Sequence, residues 1–199
     1  MDRVIATPIG EMFVAATDKA IVAVRFDTSS DAPRPTRASA AARVLLDQLQ
    51  RELDEYFGGA RRAFSVSIDP KGTPFQQEVW RRVSAIPFGE TASYSALARD
   101  LGSPRASRAV GAANGKNPLS LLVPCHRVLG KTGDLVGYAW GLRKKQWLLE
   151  HEGYSSSPPV IANSRLLSTI SRSSLPTLKN GNRFAATGTG SPVRGLRPL

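Results

Sequence analysis

The run Leu121-Leu122-Val123-Pro124-Cys125-His126-Arg127-Val128 sets the chain's only cysteine beside one of its two histidines. A lone thiol can form no disulfide within the chain and cannot by itself hold a metal. Chemistry at Cys125 would therefore be that of a reactive sulfur; the plain alternative is a small buried hydrophobe, the common fate of an unpaired cysteine. A reactive role requires the thiolate, and so a base. His126 is adjacent, but neighbouring residues on a strand point to opposite faces, so a bound water could be needed to bridge the pair. A carboxylate that orients the imidazole would complete a proton relay. Glu150 and Glu152 both follow the motif, and the residues alone do not choose between them.

These residues need a scaffold, and the hydrophobic spacing outlines one. Val4–Thr7, Glu11–Thr17 and Ala20–Phe26 read as three strands of a meander, punctuated by Pro8-Ile9-Gly10. Residues 28–36 read as a loop. From Ala38 to Phe57 the spacing becomes helical, with Leu45, Leu46, Leu49, Leu53, Tyr56 and Phe57 on one broad face and Gly58-Gly59 as the stop. A short strand at Ala63–Ile68 is expected to rejoin the sheet. Nothing in this N-terminal part carries obvious chemistry.

Pro74 opens a second amphipathic helix through Phe75, Val79, Trp80 and Val83. Ser93 can cap a short helix, Tyr94–Leu101, closed by Gly102. Ser103-Pro104 is expected to open the next helix, which Asn114-Gly115 breaks. Two short helices across a tight turn read as a helix-turn-helix. The Pro-Cys-His-Arg segment is expected as a strand, followed by a Lys131–Asp134 turn. A last helix, Leu142–Glu152, should bury Leu142, Trp147 and Leu148.

Charge narrows the partners. Of a formal +11, residues 155–199 supply +6 through Arg165, Arg172, Lys179, Arg183, Arg194 and Arg197, with no acid; residues 1–154 carry +5. The body is modestly basic, which suits nucleic acid without demanding it. The tail is rich in Ser, Pro, Gly and Thr with one aromatic, Phe184, and reads as a basic disordered segment. A single cysteine suits a reducing compartment. No run approaches a membrane span and Met1–Ile5 lacks a signal peptide's features, so a cytoplasmic protein is expected.

The motifs taken together resemble the O6-alkylguanine-DNA alkyltransferase family. Pro124-Cys125-His126-Arg127-Val128 matches its signature, and Thr73–Gln76, Ile86–Thr91 and Ser93-Tyr94 match the stretch before its helix-turn-helix. Arg108–Asn114 is similar to its recognition helix, Asn117-Pro118 precedes the signature at the expected distance, and Gly137-Tyr138 with Trp147–Leu149 closes the match. The resemblance is strong over about residues 70–153, and Ala6–Gly10 extends it weakly to the start.

The elements suggest a small α/β domain (sheet plus helix) over 1–69, the resemblance implies a mainly helical catalytic domain of winged-helix type over 70–154, and the basic tail over 155–199 has no counterpart in the family. The resemblance also implies direct, stoichiometric repair: the thiolate of Cys125 takes the methyl group of O6-methylguanine, and of O4-methylthymine, leaving the base intact. The lesion is flipped from the duplex. By position, His126 is the base, acting through a water, and Glu152, in the His151-Glu152 pair, orients it. Tyr94 donates to the departing guanine. Arg108 fills the vacated stack, Asn117 supports the turn before the active-site strand, Val128 and Tyr138 line the base pocket, and the Ala139 N–H can reach the guanine oxygen. Arg127 is expected as a structural ion-pair partner and His151 as structural.

The expected partner is double-stranded DNA entered through the minor groove, bound by a monomer, with no membrane, metal or cofactor. Many members carry Ser-Gly-Gly after the tyrosine, where this chain has Ala139-Trp140-Gly141; Trp140 would narrow the pocket towards methyl adducts. Two other readings compete: a lesion-binding protein that resembles these enzymes but cannot transfer, whose kind lacks the cysteine, and a Cys-His hydrolase, which leaves the helix-turn-helix and Arg108 unexplained.

Overall fold

The computed structural model describes residues 1–26 and 39–154. The loop expected at 28–36 and the basic tail expected over 155–199 lie outside the described residues.

The opening meander is an antiparallel sheet in sequence order, β1 (Asp2–Ile5), β2 (Met12–Ala16) and β3 (Ile21–Arg25). Alternation along β2 sends Met12, Val14 and Ala16 into the main core, while Phe13 and Ala15 form a small cluster on the other face. Helix α1 (Ala40–Phe57) covers the inner face through Ala42, Leu46, Leu49, Leu53 and Tyr56. Ser39 caps it by accepting from the Ala42 N–H.

The segment Ala63–Ile68 is not the strand expected. It meets the sheet through one parallel bridge, Ile21 to Ile68, because Glu52 accepts from the Ser65 and Val66 N–H groups and takes that backbone away from the ladder.

Helix α2 (Pro74–Ser84) starts with a full capping box, Thr73 and Gln76 bonding each other's backbone. Helices α3 (Tyr94–Asp100) and α4 (Ser107–Gly115) form the helix pair. The second helix begins later than Ser103-Pro104 suggests: those residues form a turn closed by the Ala106 N–H on Ser103 O at 2.8 Å. The two-residue strands β4 (Ala92–Ser93) and β5 (Val128–Leu129) pair in parallel, and α5 (Leu142–His151) ends the described chain. Leu142 opens α5 largely exposed instead of buried, since the inward face of that helix is carried by Lys145, Leu148 and Leu149.

One hydrophobic core runs from Ile5 in the sheet, through Tyr56 and Trp80, to Leu148. The backbone continues the union: the Val24 N–H donates to Pro118 O at 2.8 Å and the Ser120 N–H to Val24 O at 2.9 Å. The sheet edge thus grips the segment leading into Cys125. Among the described residues no helix is long and apolar enough to cross a membrane.

Candidate active site

Cys125, His126 and Arg127 form a single turn of 3-10 helix, not the extended strand expected, and only Val128-Leu129 is strand. Pro124 has no N–H and cannot extend a ladder, and its carbonyl accepts from the Arg127 N–H at 2.9 Å. The approach to this turn is held by Asn117, whose amide donates to Val123 O at 2.8 Å and whose oxygen accepts from the Leu119 N–H at 2.9 Å. Leu121, between them, takes φ of 71°, a region costly for a side chain. Asn114, at the end of α4, donates to the Cys125 carbonyl at 3.2 Å, which ties that helix to the cysteine.

Glu152 is the polar centre of the site. Its Oε1 lies 2.9 Å from His126 Nε2 and accepts from Arg127 at 2.9 Å, while Oε2 accepts from Arg127 Nε at 2.7 Å. Arg127 also donates to Ile86 O at 2.6 Å. All three residues are buried. Gly89, at φ of 76°, lets the chain pass where a Cβ would stand 2.9 Å from the Glu152 carbonyl oxygen. Glu150 is exposed and bonds Gln146, so geometry selects Glu152. His151 packs parallel to Trp147, with centroids 5.0 Å apart, and bonds the Tyr56 carbonyl.

Burial opposes the charge on Glu152, but hydrogen bonds from His126 and Arg127 outweigh it and hold the carboxyl well below its usual range. Burial lowers the His126 imidazole against the pull of Glu152, so the ring is neutral at pH 7. With Nε2 facing Glu152, the buried Nδ1 has no protein partner among the described residues. Burial also pushes the Cys125 thiol up, and the Asn117 amide and the positive Lys145 pull it partly back.

Tyr94 starts α3 beside this turn because β4, which leads into it, pairs with β5, which leaves it. Its hydroxyl donates to Gly137 O at 3.2 Å. An open cleft of about 420 Å³ is lined by Tyr94, Ser107, Arg108, Gly111, Val136 and Gly137. Arg108 is exposed at its rim. Cys125, 5% exposed, does not line it. Nor do Val128, Tyr138 and Ala139: Val128 is fully buried in β5, and the Tyr138 hydroxyl is buried without a partner among the described residues. Trp140 does not line this cleft. Its indole N–H donates to Ser120 Oγ at 2.7 Å and its ring meets Phe26 edge-on.

The sequence motifs give no role at the site to three residues that the structure places there. Lys145 is wholly buried and donates to the carbonyls of Val128 at 2.7 Å, Val136 at 2.5 Å and Gly137 at 3.3 Å. Its spacing to Leu148, Leu149 and Glu152 is that of one helix face, which was the available signal. Asn114 reads in the sequence as a helix breaker. Tyr56 reads in the sequence as core, yet its hydroxyl donates to Glu152 Oε1 at 2.7 Å.

Residues 2–70 match the family model described as "6-O-methylguanine DNA methyltransferase, ribonuclease-like domain", and residues 74–154 match its DNA binding domain. The methylated-DNA--protein-cysteine methyltransferase of Salmonella typhimurium is 41% identical over 77% of this chain and 96% of its own length. That of Methanosarcina acetivorans is 40% identical over 74% and 94%. The crystal structure of Mycobacterium tuberculosis OGT in complex with DNA is 41% identical, with a TM-score of 0.67 over 76% of this chain and 91% of that one. The thiol on its turn, the carboxylate behind it and the helix pair in front thus sit in a chain that belongs to the 6-O-methylguanine DNA methyltransferase family.

Proposed function

We propose that this chain repairs alkylated DNA by moving the methyl group of O6-methylguanine, and of O4-methylthymine, onto its own Cys125. The observation that carries the reading is the seating of the only cysteine on a buried turn whose next residue is braced by Glu152, directly behind the helix pair.

The chemistry follows from the groups present. His126 Nδ1, the ring nitrogen left without a protein partner, takes the thiol proton through a bridging water. The thiolate attacks the methyl carbon; the carbon–oxygen bond breaks and its electron pair stays on the guanine oxygen. Glu152 stabilises the imidazolium, and Tyr94 exchanges its bond to Gly137 for one to the departing base. Arg108 occupies the space the flipped base leaves, and the small residues of α4 let that helix enter the minor groove. Asn117 holds the approach to the turn, and Val128, Tyr138 and the Ala139 N–H are the groups we assign to the flipped base, although none of them lines the cleft before the base enters.

The product is a thioether, whose carbon–sulfur bond is opened neither by a thiol nor by water, so each molecule acts once, as a monomer. A cytoplasmic site of action fits an unpaired thiol. We place the domain boundary at 69/70, supported by the meeting of the two family matches between residues 70 and 74. With lesion-bearing duplex in excess, repair should stop at one lesion per protein molecule. Continued turnover would refute the acceptor role.

A further inference from the structure

The N-terminal helix reaches into the transfer site. Tyr56 lies in its last turn, 1% exposed, 96 residues from Glu152 in sequence, and its hydroxyl donates to Glu152 Oε1 at 2.7 Å. That oxygen also faces His126 Nε2 at 2.9 Å and one arginine nitrogen at 2.9 Å. The carboxylate's charge is therefore divided among three donors on the oxygen that matters for the imidazole. Neither the methyl transfer nor the packing of α1 requires a hydroxyl at this position; a phenylalanine would fill the same space against Phe57, Phe64, Phe88 and His151.

We propose that Tyr56 is a positioning residue of the transfer site: by sharing Glu152 Oε1 with His126, its hydroxyl limits how strongly the carboxylate draws a proton onto the imidazole. The N-terminal domain thereby sets the basicity of the base in the C-terminal domain. The inference rests on the relay of His126 and Glu152 proposed above.

Tyr56 suits the task because it cannot ionise in the working range. Burial raises its hydroxyl far above the ordinary value, and the charge of Glu152 raises it further. It is a constant neutral donor, unlike Arg127, whose positive charge opposes protonation of His126. The other groups facing the imidazole are few. Glu152 favours its charged form, Arg127 and Lys145 oppose it, and Cys125 and Tyr138 are held neutral by burial. The His151 ring lies against Tyr56, with centroids 5.1 Å apart, and bonds its carbonyl, which fixes the end of α1.

Removing the hydroxyl alone, in Tyr56→Phe of the full chain, leaves more negative charge on Oε1. The bond from His126 Nε2 shortens and the imidazolium is stabilised. His126 then accepts a proton at higher pH, and a protonated imidazole cannot take the thiol proton. Transfer from a duplex carrying O6-methylguanine should keep its plateau rate within about threefold, while its acid limb moves up by about half a unit to one unit. At pH 7 the His126 Nε2 proton resonance should move downfield.

A uniform rate loss at every pH, with that resonance unmoved, would mean that Tyr56 serves packing only and overturns the proposal. A moved resonance with an unmoved acid limb upholds the control of His126 by Tyr56 but removes His126 from the rate-limiting proton transfer. The two claims can thus fail separately.

Discussion

Lys145 is a buried cation whose partners are carbonyl oxygens; among the described residues it forms no ion pair. Burial lowers its pKa from 10.5 to about 8, against a smaller opposite pull from Cys125. Between those values the unfolded chain binds a proton that the folded chain lacks, so stability rises as pH rises. Cys125 works against this trend, since its thiol is raised on folding. In a Cys125→Ser background, urea unfolding should therefore show increasing stability from about pH 8 to about pH 9.5, and adding Lys145→Met should abolish the rise. A flat profile with Lys145 present would contradict a buried, depressed ammonium. The same lysine shows what could be read at this scale. Cys125, His126, Arg127 and Glu152 were legible because they sit in a contiguous motif and a pair. Lys145 was legible in principle from its spacing to Leu148 and Leu149. Tyr56 was not, because only the fold brings its hydroxyl to a carboxylate 96 residues away.

The helices were the clearest elements in the sequence, since their apolar spacing is regular and Ser93 signals a cap; the structure adds Ser39 and Thr73 as the caps of the first two. Short segments were harder. Pro-Cys-His-Arg has strand-like neighbours but folds as a 3-10 turn, and Ala63–Ile68 loses its ladder to Glu52; in both, a local hydrogen bond outcompetes a weak propensity. Helix α4 turns a composition into a surface. Val110, Ala113 and Asn114 face inward, while Arg108, Ala109 and Ala112 are exposed. Trp80 anchors its end through a bond from the indole N–H to Ala113 O at 2.9 Å. Ala112→Leu should accordingly weaken duplex binding by about tenfold or more through loss of close approach, while changing stability by no more than about 0.5 kcal/mol. Equal affinity for the variant, measured by fluorescence anisotropy, would mean that another surface meets the DNA.

Across the whole molecule, the two parts share one core and one polar centre. Val24 braces the segment before Cys125, and Tyr56 completes the shell of Glu152. Thermal unfolding followed by far-UV circular dichroism and by tryptophan fluorescence should therefore give coincident transitions; two separated melts would show that the parts are energetically independent. The charge of the body suits a DNA partner, but the site makes the stronger statement, because a buried thiol with a braced imidazole needs a substrate brought to it. The most direct test is mass spectrometry of the protein after incubation with a duplex carrying O6-methylguanine. The peptide containing Cys125 should gain the mass of one CH₂, as S–H becomes S–CH₃, and Cys125→Ser should gain nothing. A methyl group on any other residue, or transfer that persists in Cys125→Ser, would contradict the account.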